Sequence, residues 1–334
     1  MSRDESPFVR APAEEEGYNG IHRAFLQAFH THSVLTVDET KSILAHVMTA
    51  HNPERPWTAG DVTQPNITST IQTINAKIEA FDYEIRSTRD QQTKESIYAL
   101  VNNASDTVTQ FATTFSANEI AYIRRVLDQM FETNNTNIRE VMAVKHTEAS
   151  QLARTSRRNR QSQANSRQSQ VNGDADTQAS ADTGITIAEA DQVLETLVSQ
   201  AFFQKSKAGY YSLAPRALME LRAYLKETYN ESAEENEDGR EIIRIRDCEG
   251  CKDIVTFGIR CNNKECGVRW HDACANSYYR GRSGDRRKCP KCQTECTGDV
   301  FVGERAAWTG PRTSTGGNRR STQQQEVEDE EEDE

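Results

Sequence analysis

Residues 248–292 read CEGCKDIVTFGIRCNNKECGVRWHDACANSYYRGRSGDRRKCPKC, and the spacing of their cysteines decides how this chain is read. Ligand-type residues recur as Cys248-x2-Cys251, Cys261-x4-Cys266, His271-x2-Cys274 and Cys289-x2-Cys292, four pairs in one segment. Two tetrahedral ions need eight ligands, and zinc favours thiolate and imidazole donors in closed structural sites. A segment of about 45 residues has too small a core to fold without such staples. The expectation is therefore two Zn2+ ions bound in a cross-braced finger.

Spacing alone does not fix which pairs share an ion. In a cross-brace the first and third pairs hold one ion, which groups Cys248, Cys251, His271 and Cys274. The second and fourth pairs hold the other, through Cys261, Cys266, Cys289 and Cys292. The nearby Arg260, Lys264, Arg269, Lys288 and Lys291 are expected to offset the thiolate charge. Cys296 stands outside the pair pattern and is expected to be a free thiol, because a two-residue gap bites a metal better than a three-residue gap. With four protein ligands on each ion there is no open position for water, so the finger is expected to bind rather than to hydrolyse.

Outside the finger the chain has no cysteine, so a catalytic thiol elsewhere is excluded. Clustering of all eight cysteines between 248 and 296, with no apolar leader at the N-terminus, argues for metal rather than disulfides. No apolar run reaches the roughly 18 residues needed to cross a bilayer, so no membrane role is expected. The net charge of −11 is concentrated in the final run EVEDEEEDE, which leaves room for basic patches elsewhere.

Upstream, two units repeat the order helices-then-hairpin. The first shows Ile21, Phe25 and Phe29 at helical spacing, then a Thr36/Glu39 capping box before Ile43, Leu44, Val47 and Met48. Ile67, Ile71, Ile74, Ile78 and Phe81 form the clearest amphipathic stripe, and a hairpin follows over 83–88 and 96–101. The second unit opens on Ser116/Glu119, with Ile120, Ile123, Leu127 and Met130 on one face, and a helix is expected over 138–152. A Gln, Ser and Arg-rich stretch over 154–182 is expected to be a disordered insertion, with RTSRRNR as an import signal or phosphate-binding arm. Thr186/Glu189 restarts the order, a hairpin turns at Gly209, and one helix is expected over 215–229 with Leu218, Leu221 and Leu225 inward.

The predicted architecture is α+β and multidomain: tandem winged-helix domains followed by a C4HC3 two-zinc finger. The expected parts are a disordered arm (1–17), winged helix one (18–105), winged helix two (106–230) with its insertion, an acidic linker (231–243), the finger (244–297) and a disordered acidic tail (298–334).

The ligand order, the segment GVRWHDACANSYYR and the preceding winged helices together resemble the non-structural maintenance of chromosomes element one family, over residues 18–296. That resemblance implies a variant RING with ubiquitin ligase activity, in a nuclear, chromosome-associated complex for DNA repair and recombination. It implies pairing of the winged helices with a MAGE-like subunit, and contact with a kleisin, the structural maintenance of chromosomes proteins and DNA through the subcomplex. The Ile67–Phe81 stripe then reads as a core or partner face rather than a groove reader. A ubiquitin-conjugating enzyme would meet the loops around the ions, where Ile254 and Pro290 occupy comparable places. Active RINGs often carry a basic residue after the last ligand; Gln293 stands there, which implies dependence on the partner. The competing readings are a non-catalytic scaffold or DNA-binding subunit and a PHD-like histone reader. The reader is disfavoured because Arg287 stands where such fingers place an aromatic.

Overall fold

The computed structural model describes residues 17–103, 114–154, 184–232, 234, 239, 241–281 and 287–308. The expected arm, the insertion and the acidic run therefore lie outside the described residues, save Gly17 and Arg154. Among the described residues no helix is long and apolar enough to cross a membrane.

The first unit runs α1 (Gly20–His32), β1 (Val34–Thr36), α2 (Val37–His51), α3 (Gln64–Ile78), β2 (Tyr83–Arg89) and β3 (Ser96–Asn102). The sheet order β1-β3-β2, all antiparallel, is that of a winged helix. Thr36 and Glu39 form the expected box: the Glu39 N–H donates to Thr36 Oγ1 at 3.3 Å and the Thr36 N–H to Glu39 Oε2 at 2.8 Å. Phe25, Phe29, Leu44, Ile67 and Ile74 fill a core of this unit's own. The stripe of α3 stops at Ile78; Phe81 lies in the following turn and is 72% exposed, so it is not part of the core face.

The second unit runs α4 (Ala117–Asp128), β4 (Val144–Lys145), α5 (His146–Gln151), α6 (Ile187–Ser199), β5 (Phe203–Lys205) and β6 (Tyr210–Leu213). Its sheet order β4-β6-β5 repeats the first unit's topology. The boxes at Ser116/Glu119 and Thr186/Glu189 also form. Of the helix expected over 138–152 only the C-terminal part forms, as α5 (His146–Gln151). Ile138, Val141 and Val144 sit three apart and mimic a helical period, but Ile138 is 69% exposed in a loop closed by Val141 N–H on Asn134 O. Val144 is needed as the strand that completes the sheet against Tyr211. The helix expected over 215–229 breaks at Leu221 into α7 (Pro215–Glu220) and α8 (Arg222–Tyr229), with Leu218, Leu221 and Leu225 buried on both sides of the break.

The expected linker is partly strand, since β7 (Asn230–Glu231) pairs with β8 (Ile242–Ile243). The finger contains β9 (Gly258–Arg260), β10 (Arg269–Trp270) and α9 (Asp272–Tyr278). The tail expected to be disordered from 298 instead begins with β11 (Phe301–Val302) and α10 (Arg305–Trp308). β11 adds to the free edge of β9 and Val302 is fully buried, so the finger's sheet extends past its last cysteine.

Candidate metal centre

Two turns of the same design present the outer pairs. After Cys251 and after Cys292 the backbone enters the left-handed region, at Lys252 (φ 65°) and Gln293 (φ 59°). Each of those residues donates its N–H back to the carbonyl of the first cysteine, Cys248 or Cys289, at 3.0 and 3.1 Å. His271 caps α9 and Cys274 follows one turn in, with the Ala275 N–H on His271 O, so the two-residue gap aims both at one point. Gly258 lets β9 approach β10: a Cβ there would stand 2.0 Å from Trp270 O.

The structure brings the ligand atoms together as Cys248, Cys251, His271, Cys274 and as Cys261, Cys266, Cys289, Cys292, each set within 4.8 Å. Cys296 joins neither set; it is buried, with its N–H on Arg287 O. A tetrahedral zinc with Zn–S near 2.3 Å separates its sulfurs by about 3.8 Å. Cys261 and Cys292 lie 3.5 Å apart, and Cys266 and Cys289 3.7 Å. The donor sets and their spacing thus fit two such ions.

The thiols divide in each set. Burial alone would raise Cys248, but its contact with the His271 ring and hydrogen bonds from backbone N–H groups outweigh it and bring it to about 6. Burial, reinforced by the charges of Cys248 and Cys274, pushes Cys251 up to about 12. In the second set the Thr294 hydroxyl and backbone bring Cys292 to about 6, while burial foremost pushes Cys261 and Cys266 up. A dication at the centre removes the opposition to the later ionisations.

Arg260 and Arg269 do not serve the thiolates as expected. Both are buried and grip Glu140 of the second winged helix: Arg260 Nη1 at 2.9 Å, Arg269 Nε at 2.7 Å, and Arg269 Nη2 on the same carboxylate. Burial pushes the Glu140 carboxyl up, but the two guanidiniums outweigh it and hold it below the usual carboxylate range.

Ile254 does not occupy the expected partner-contact position. It is 2% exposed and packs inward, so its side chain offers no surface to a partner. Pro290 is exposed, on a groove between the two metal loops that Gly250, Cys251, Trp270 and Tyr278 also line. Trp270 is buried and stacks on Tyr278 with ring centres 4.7 Å apart. Glu249 pairs with Lys291 at 2.6 Å and so ties one loop to the other. Sequence reading passed over Tyr278, whose signal was its place one helical turn after Cys274. Arg287, the position that disfavours a reader finger, lies over the Tyr279 ring at 5.0 Å.

Fold and site together define a class: a tandem winged-helix protein carrying a RING-like finger with two four-ligand metal clusters. Residues 22–221 match the family model "Nse1 non-SMC component of SMC5-6 complex", and residues 248–292 match a RING-like domain. The chain belongs to that Nse1 family. It is similar to a human relative, "Non-structural maintenance of chromosomes element 1 homolog", at 25% identity over 81% of this chain and 82% of the relative. The relative from Bos taurus is 25% identical over 91% of this chain and 95% of its own length, and that from Drosophila melanogaster 22% over 81% and 93%. A solved chain described as "Nse1-Nse3-Nse4 complex" has the same fold, with a TM-score of 0.59 and 18% identity over 83% of this chain and 96% of that one.

Proposed function

We propose that this chain is the RING-type ubiquitin ligase subunit of a nuclear chromosome-maintenance complex that acts in DNA repair and recombination. Two zinc ions brace the finger and supply structure only, because each set of four protein ligands leaves no position for water. The finger contributes proximity: it holds a ubiquitin-charged conjugating enzyme beside a substrate and forms no covalent intermediate. The winged helices bind a MAGE-like subunit, and a kleisin and the structural maintenance of chromosomes proteins complete the assembly around DNA.

The observation that supports this reading is the groove between the two metal loops, with Pro290 exposed and Tyr278 and Trp270 stacked at its floor. The test is ubiquitin transfer by the purified chain, alone and with its MAGE-like partner, across a panel of conjugating enzymes. Tyr278→Ala is expected to lower transfer at least about tenfold, equivalent to the loss of one buried aromatic contact. Absence of transfer in every condition would remove the ligase assignment.

A second reading, a scaffold whose finger only docks partners, has its own support. The first loop carries Gly250, which offers a partner no side chain, and a Cβ there would stand 3.1 Å from Cys274 Cβ. Gln293, not a basic residue, follows the last ligand. Winged-helix variants that abolish complex assembly in a chain already inactive in transfer would favour this reading.

A further inference from the structure

The tip of the first winged helix reaches the first metal cluster. The wing β2–β3 turns through Asp90 and Gln91, and Gln91 makes its side-chain bonds in the finger rather than in its own unit. Its Nε2 donates to Ile254 O at 2.9 Å. Its Oε1 accepts from the N–H groups of Thr256 at 3.0 Å and Phe257 at 2.9 Å. Donors on one side and an acceptor on the other fix which way the amide points.

The carbonyl that Gln91 grips is not an arbitrary one. His271 Nε2 lies 3.1 Å from the same Ile254 O, in a buried contact. A carbonyl only accepts, so Nε2 carries the proton and Nδ1 keeps its lone pair. Nδ1 is the nitrogen that faces the cluster, 3.2 Å from Cys251 Sγ. Ile254 O therefore sets the tautomer and ring direction of the one imidazole ligand, and Gln91 holds Ile254 O from the far side. Partners in this outer position orient metal-binding histidines and raise their basicity.

We propose that Gln91, 180 residues before His271 in the sequence, is a positioning residue of the first zinc site. The proposal rests on the reading that both clusters hold zinc. It makes the seating of the first winged helix and the grip on one of the two ions a single coupled property, and it leaves the second cluster, which Gln91 does not approach, independent.

The test compares the full wild-type chain with Gln91→Ala, Gln91→Glu and the neighbouring control Gln92→Ala. Zinc content is measured first, then zinc release to a chromogenic chelator. Wild type is expected to hold two ions. In Gln91→Ala one of the two is expected to leave about tenfold faster while the other keeps its wild-type rate, the low end of outer-partner effects. Gln91→Glu separates positioning from simple tethering, because it keeps the acceptor for Thr256 and Phe257 but loses the donor to Ile254 O. It too is expected to release one ion faster. Cobalt(II) substitution identifies the site, since three thiolates with an imidazole and four thiolates absorb differently; only the former band is expected to change. Two wild-type ions with unchanged release in both Gln91 variants would overturn the proposal alone. So would equal acceleration of both ions, or the same effect from Gln92→Ala. Fewer than two ions in wild type would overturn the zinc reading and the proposal with it.

Discussion

Two buried glutamates sit at two seams of this molecule, and although burial pushes both carboxyls up, their net shifts run in opposite directions. Glu140, where the second winged helix meets the finger, lies between two buried guanidiniums, and its carboxyl is held below its ordinary range. Glu220, where the second winged helix meets the first, is pushed up by burial despite Arg216. The Arg216 and Glu220 groups are 3.2 Å apart but not aligned as a hydrogen bond, and Glu220 Oε1 accepts from the Asn102 N–H at 3.1 Å. The apolar packing differs in the same sense. One continuous core runs through the second winged helix and the finger, from Met130 and Leu225 to Trp270 and Val302, whereas the first winged helix has a core of its own. The finger and its neighbour share one core; the first winged helix keeps a core of its own and is docked onto that unit through polar contacts and the buried β3 residues Ile97, Ala99 and Val101 beside α7.

The strongest way to break this contrast is to remove the metal. Apparent binding energies of structural zinc are about 10–16 kcal/mol, so chelation is expected to unfold the finger outright. Because the core is shared, hydrogen-exchange protection should then fall in the second winged helix as well, at Val144 and Tyr211, which pair across β4 and β6. Ala99 and Leu100, in the first sheet, should keep theirs. Equal loss in both winged helices would sink the idea of one fused unit and one docked unit.

Next in size is Glu140→Ala. It leaves Arg260 and Arg269 buried without their anion, and breaking a buried pair on one side costs about 3–5 kcal/mol. The loss should show in denaturant unfolding of the fused unit, and Glu140→Gln should recover only part of it. A change under about 1 kcal/mol would mean that solvent reaches the arginines and that the apolar core alone holds the seam.

What the sequence made legible follows range of interaction. The three capping boxes, the sheet order implied by helices and hairpin, and the four ligand pairs are written within a few residues of one another, where spacing translates directly into geometry. The seams are not. Glu140 stands 120 positions from Arg260, and nothing around it in NIREVMAVK marks it as a buried anion. Distance from Cys251 suggests a surface place for Ile254, but its side chain is buried in a core drawn largely from another domain. Phe301 and Val302 were lost in a polar tail because two apolar residues cannot announce a strand until the edge of β9 is known.

The smallest and most discriminating effect is the pH dependence of the two seams. Glu140 has its folded value below its ordinary one, so its contribution is fully present above about pH 4.3 and is lost as the pH falls through the folded value. Glu220 has its folded value above the ordinary one, so the fold opposes its ionisation, and stability drains away as the pH rises from about 4.3 through that folded value. Glutamine copies the protonated form in each case. Glu140→Gln should therefore fall behind wild type as the pH rises towards about 4.3 and keep a constant deficit above it, while Glu220→Gln should gain on wild type and move ahead only as the pH rises beyond about 4.3. Protonation of the thiol ligands at the acid end is common to all three chains and cancels in the differences. Parallel slopes for the two variants would mean that Arg216 compensates Glu220 as fully as the two arginines compensate Glu140, and that the seams differ in apolar contact alone.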